Sequence, residues 1–143
     1  MGTIVVGVDG SAPSNAALRW AVDEARLRDA RLRVVHVWHL PLLPGGETSG
    51  ADHEYVRMRR ADAERLLTTL LAEVRLEADG LEIDTAAVEG RPSAVLVDEA
   101  RDADLLVLGA RGRGGFAGLL LGSVGHQCAH HATCPVAIVH GET

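Results

Sequence analysis

The chain has 143 residues, a formal net charge of −6, 47% hydrophobic residues and only 3% aromatics. A chain of this length buries roughly 68–70% of its unfolded surface, so one domain over 1–143 needs no disulfide or metal staple, and Val, Leu, Ile and Ala must fill its core. The acidic balance argues against broad binding to nucleic acid or anionic membranes, and no apolar stretch approaches the ~20 residues of a membrane helix.

Thr3 to Asp9 is β-branched and nearly continuous, the pattern of a strand covered on both faces. A strand-length run followed by polar residues does not read as a secretion signal. Gly10-Ser11-Ala12-Pro13 predicts a helix start, with Ser11 as cap and Pro13 in the first turn. Ala17, Leu18, Ala21, Val22 and Ala25 give that helix one apolar face. Leu32 to Trp38 reads as a second buried strand. His39 to Asp52 carries two prolines and three glycines and reads as a surface loop. Glu54 to Asp79 is a longer helix with Ala63, Leu66, Leu67, Leu70, Leu71 and Val74 inward and Gly80 as its stop. Leu81 to Val88 is the third strand, and Gly90-Arg91-Pro92 opens a helix running to about Asp102. Leu105 to Leu108 is the fourth strand, Ser123 to His131 the last helix and Pro135 to Val139 the fifth strand.

Alternation of strand and helix predicts an α/β fold: a doubly wound five-stranded parallel sheet, Rossmann-like, with helices on both faces. Right-handed crossovers with strand order 3-2-1-4-5 put a switch point between strands 1 and 4. Ligands of such sheets bind beyond the carboxyl ends of those strands, here at Asp9 and Gly109. Gly109 also opens the glycine-rich stretch Gly109-Ala-Arg111-Gly112, which runs on to Gly122-Ser123-Val124. Glycine lets backbone N–H groups turn toward an anion, and the helix start at Ser123 adds unpaired donors and a positive dipole end. Arg111 and Arg113 offset phosphate charge or remain solvated loop charges.

Several alternatives are excluded or weakened. All 14 basic residues are arginine, which rules out a Walker P-loop lysine, a kinase-type phosphate lysine and a Schiff-base lysine. Gly112-Arg-Gly114-Gly-Phe-Ala117 matches a dinucleotide fingerprint, but it follows the fourth strand. No acid occurs between it and Glu142 to hold a ribose. Asp9-Gly-Ser-Ala-Pro13 lacks the hydroxyl-rich phosphate loop of a flavodoxin. His126, Cys128, His130, His131 and Cys134 cluster without a zinc-like spacing, and solvated or core side chains are the expectation there. No metal site is assigned. Cys128 and Cys134 lie across a helix-to-strand junction and fit free thiols in a reducing, cytoplasmic compartment.

The spacing Gly109, two residues, Gly112, nine residues, Gly122-Ser123 resembles the nucleotide-binding pattern of the universal stress protein family. The resemblance extends along nearly the whole chain. Val5-Val-Gly-Val-Asp-Gly-Ser11, Arg33-Val-Val-His-Val-Trp38, Gly90-Arg-Pro92, Asp104-Leu-Leu-Val-Leu-Gly109 and His131-Ala-Thr-Cys-Pro-Val-Ala-Ile-Val139 all look like family segments in family order. It implies that Gly109, Gly112, Gly122, Ser123 and Val124 contact the phosphates and ribose of ATP, with Arg111 nearby. It further implies Asp9 near the ribose and metal-phosphate region, the Val37 backbone on the adenine edge, and Val8 and Leu108 flanking the ring. Mg²⁺ would accompany the triphosphate. The independent reading of Asp9 is a cap for the helix that follows.

Asp9 is the only acid that the pattern places near phosphate, and no nucleophile–base pair is evident, so no catalytic residue is assigned. The lead expectation is an ATP-binding regulatory protein of stress response with slow or no turnover, whose nucleotide occupancy sets conformation or partner choice. The alternatives are a weak Mg-dependent ATPase or phosphotransferase, and a dimeric interaction module that does not use ATP. The family resemblance implies a homodimer through Pro135–Val139, an apolar edge strand that a symmetric partner would cover. Arginine in place of lysine, with abundant Ala and Gly, points to a GC-rich bacterial genome.

Overall fold

A computed structural model describes residues 1–39, 53–75, 77–110 and 122–141. The elements in chain order are β1 (Thr3–Gly7), α1 (Ala12–Arg28), β2 (Arg31–Trp38), α2 (His53–Val74) and β3 (Ile83–Glu89). They are followed by α3 (Pro92–Glu99), β4 (Leu105–Gly109), α4 (Ser123–His131) and β5 (Val136–Val139). The five strands form one sheet in the order β3-β2-β1-β4-β5. Every neighbouring pair is parallel, with Val6 of the central β1 opposite Val34 on one side and Val107 on the other. The α/β architecture and the strand order expected from the alternation are both present.

The sheet is covered on both faces, which explains its unbroken apolar strands. On one face Ile4, Val6, Val34 and Val107 pack with Ala17, Leu18, Ala21, Val22 and Ala25 of α1 and with Leu67, Leu70 and Val74 of α2. On the other, Val5, Val35, Leu106 and Leu108 pack with Leu96 of α3 and Cys128 of α4. Successive residues of each strand therefore feed opposite cores, as a period of two requires. The edge strand β5 is only half-buried along its length.

Helix ends differ from the periodic reading where side chains intervene. α2 stops at Val74 rather than near Asp79. Arg26 of α1 donates to the backbone carbonyls of Asp79 and Glu77, and the Leu81 N–H donates to Ala78 O at 2.9 Å. Carbonyls committed to Arg26 and to a tight turn do not continue a helical ladder, and Gly80 then takes φ +80°. α3 likewise ends at Glu99 rather than Asp102, because Ala103 N–H turns back to Ala100 O at 3.0 Å to enter β4. Leu66 and Leu71 are half-buried rather than core. Most of the expected 39–52 loop, and the glycine-rich segment from 111 to 121, lie outside the described residues.

Candidate functional site

Strand direction brings the turn after β1, the end of β2 and the start of α4 to one side of the sheet, where they enclose a cavity of about 680 Å³. This is the switch-point crevice that the strand order demands, because the chain leaves β1 toward β2 and reaches β4 on the other side. The volume lies within the range of small-molecule sites. Val8, Asp9, Val37, Leu108, Gly109, Gly122, Ser123 and Val124, eight of the ten residues singled out from the sequence, line it. The other two, Arg111 and Gly112, lie outside the described residues.

The turn after β1 closes on itself. Ser11 caps α1 by accepting from Ser14 N–H at 3.3 Å, with extended backbone at the cap and Pro13 in the first turn. The buried Ser14 hydroxyl accepts from Asp9 N–H at 3.1 Å and donates to Ser11 O at 3.3 Å. Asp9 Oδ1 accepts from Ser11 N–H at 2.9 Å. Asp9 thus organises the turn into α1 while its residue faces the cavity. Gly10, at φ +82°, supplies the left-handed step that this turn needs.

Gly109 has a packing role as well. A Cβ there would sit 2.7–2.9 Å from backbone atoms of Pro13 and Ser14. The end of β4 therefore abuts the first turn of α1, and the glycine is required before any ligand is considered.

α4 starts differently. Its cap is Gly122, which has no side chain to spend on the first turn. Gly122 N–H donates to Ala110 O at 2.6 Å, tying the helix start to the end of β4. Ser123, Val124 and Gly125 all line the cavity, and among the described residues none of their N–H groups has an acceptor. Unpaired first-turn donors and the positive dipole end make this wall of the cavity suited to an anion.

The opposite wall is formed by β2 and α2; of it the sequence singled out only Val37, while Ala63 and Leu66 read as core. Arg59, Asp62, Ala63 and Leu66 line it from α2, a stripe at i, i+3, i+4 and i+7. His36 and Trp38 line it from β2, two residues apart on one strand face. Both spacings were present in the sequence as signals. What it lacked was any indication that these faces meet a cavity rather than a filled core. His36 Nδ1 lies 2.8 Å from Val8 O. Trp38 is 5% exposed, its indole N–H has no partner among the described residues, and the Arg60 guanidinium lies 5.9 Å from its ring centroid. Arg59 donates to His39 O at 3.2 Å. Pro92 and Leu96 of α3, with Val37, complete an apolar floor.

Outside the cavity, the His/Cys cluster is dispersed by burial. His126, His130 and His131 are exposed, whereas Cys128 is fully buried and Cys134 half-buried, both as free thiols. Burial pushes the Cys128 thiol up to about 11 and also raises that of Cys134. No group of three or more metal-ligating His, Cys, Asp or Glu side chains occurs among the described residues. Among the same residues, no helix is long and apolar enough to cross a membrane.

A family model for the universal stress protein family matches residues 1–140. The chain belongs to that family. It is 34% identical over 141 residues to a universal stress protein of Mycolicibacterium smegmatis, covering 97% of this chain and 48% of the relative. The chain spans about half the length of the curated relatives it matches. Solved universal stress proteins match it end to end. One, in complex with cAMP, is 30% identical with a TM-score of 0.73, covering 99% of this chain and 98% of that one. The universal stress protein of Archaeoglobus fulgidus in complex with dAMP is 28% identical with a TM-score of 0.64, covering 97% and 98%.

Proposed function

We propose that this universal stress protein binds an adenine nucleotide in the switch-point cavity, with ATP as the principal ligand. The observation that carries the reading is the pairing of two unlike walls. The amides of Ser123, Val124 and Gly125, which have no acceptor among the described residues, belong to one wall of a cavity whose other side includes the apolar Val37, Ala63, Leu66 and Leu96. One end suits phosphate and the other a base. Two solved relatives carry cAMP and dAMP, which supports the same ligand class here. Gly109, Gly122, Ser123 and Val124, with Arg111 and Gly112, are assigned to the phosphates and ribose, Asp9 to the ribose side, and Val8, Val37 and Leu108 to the ring.

Magnesium would arrive with the triphosphate. Asp9 is the one carboxylate at the β1 turn, one of its oxygens already accepts from Ser11, and the described residues hold no ligand cluster that could retain the ion without phosphate. Occupancy is proposed to act as a regulatory signal in stress response, with turnover slow or absent. A homodimer through residues 135–139 would cover the half-buried β5 edge.

Denaturing freshly purified protein and chromatographing the released material tests the reading. Near-stoichiometric ATP is the expected result. ADP alone would favour a hydrolase. No released nucleotide, followed by no binding in a titration with Mg·ATP, would overturn it.

A further inference from the structure

His36 is fixed in a way that gives it a defined polarity. Its Nδ1 lies 2.8 Å from the carbonyl oxygen of Val8, on the neighbouring strand's exit turn. A carbonyl oxygen only accepts, so Nδ1 must carry the ring proton. In the neutral imidazole the other nitrogen, Nε2, is then an acceptor with no proton to give. No described residue donates to it, and the side chain lines the cavity at the β2–α2 wall. On that wall it stands with Ala63, Leu66 and Trp38, alongside the charged Arg59 and Asp62. A planar heterocycle seated there meets an acceptor of fixed tautomer.

We infer that His36 selects the purine by its six-position, accepting a hydrogen bond from a 6-amino group at Nε2 and disfavouring a 6-oxo group. The inference rests on the proposed nucleotide site and names the base that it takes. Adenine presents N–H donors at the six-position. Hypoxanthine and guanine present a carbonyl oxygen, which would set lone pair against lone pair and leave both acceptors unpaired. Discrimination by a buried polar group is large when the wrong ligand leaves it unsatisfied. The Val8 contact makes this possible, because an unanchored imidazole would exchange tautomers and serve either base.

The test compares ATP, purine riboside triphosphate and ITP by titration calorimetry on the native protein and on His36→Asn. Asparagine keeps an amide N–H near the Nδ1 position to hold Val8 O, but has no atom where Nε2 was. The native protein should bind ATP tightest, purine riboside triphosphate next and ITP weakest, with ATP over ITP by about tenfold or more. In His36→Asn the three affinities should converge to within about threefold, with unfolding temperature close to native. An unchanged ATP-to-ITP ratio in the variant, or no preference in the native protein, would overturn the inference while leaving nucleotide binding intact. Failure of the native protein to bind any of the three would remove the nucleotide site itself. If the variant does not fold, the native protein still decides. The ¹⁵N resonance of His36 Nε2 should shift on adding ATP and stay in place on adding ITP, and equal responses would overturn the inference.

Discussion

α1 and α4 both begin at the carboxyl ends of neighbouring central strands, yet their first turns are built in opposite ways. α1 is closed: Ser11 accepts from Ser14 N–H, and the Ser14 hydroxyl and Asp9 carboxylate bind the turn internally. Its body is anchored by five buried apolar side chains from Ala17 to Ala25. α4 is open: a glycine stands at its cap, its first-turn amides have no acceptor among the described residues, and its buried residues are Gly125 and Cys128. A helix start that satisfies its own donors stabilises the fold and has little left for a ligand. One that leaves them unpaired gives up some stability and retains the capacity to bind an anion. In this molecule the closed and the open helix starts belong to helices on opposite faces of the sheet.

The strongest way to break the comparison is to disturb the point where both helix starts meet β4. Gly109→Ala places a methyl group 2.7–2.9 Å from the backbone of Pro13 and Ser14. The expected loss is about 3 kcal/mol, read from urea unfolding, before any effect on a ligand.

The anchoring of α4 is tested by alkali. Because the Cys128 thiol is raised to about 11 by burial, the unfolded chain releases its proton first as pH rises. Its contribution is complete below the ordinary thiol value and lost as pH climbs to about 11, a decline on the order of 2 kcal/mol in total. The chain has no lysine and one tyrosine, so few other groups titrate in that window. Cys128→Ala should flatten this limb of the stability–pH curve, and a limb as steep as native would refute the assignment.

Ser123→Pro probes the open helix start. Gly122 has φ −70° and ψ 166°, a conformation compatible with a following proline, and the first helical position tolerates one. The variant should keep its unfolding midpoint and lose about tenfold in ATP affinity through the missing N–H and hydroxyl. Ser123→Ala, which removes only the hydroxyl, should lose less. Equal affinity of Ser123→Pro and native protein would show that this amide is not used.

The smallest effect is expected at the closed start. Ser11→Ala removes the α1 cap and should cost about 1 kcal/mol in stability. ATP affinity should change far less than in Ser123→Pro. A larger loss of affinity than of stability would mean that the α1 turn serves the ligand directly.

Much of this was legible in the residues. The β-branched run from Thr3, the helical spacing of Ala17 to Ala25 and the Ser11–Pro13 start each have a local cause, so each can be read without the fold. Gly122-Ser123 was legible for the same reason, since a glycine cap offers no side-chain acceptor of its own to the first turn. The ends of α2 and α3 were not, because Arg26 reaches α2's terminal carbonyls from another helix and the Ala100–Ala103 turn is set by entry into β4. The α2 stripe Arg59, Asp62, Ala63 and Leu66 was visible as a helical face but not as a cavity wall.

The sequence alone determined the order of elements, the apolar faces that place helices on both sides of a parallel sheet, and the position of the switch-point crevice between the first and fourth strands. These follow from periodicity and turn chemistry, which act over a few residues. Tertiary structure decided what the crevice is made of. Gly109 meets Pro13, and His36 meets Val8, only because strands far apart in the chain align in a particular register. That register fixes the proton on His36 and the closeness of β4 to α1, and no property of the separate segments specifies either.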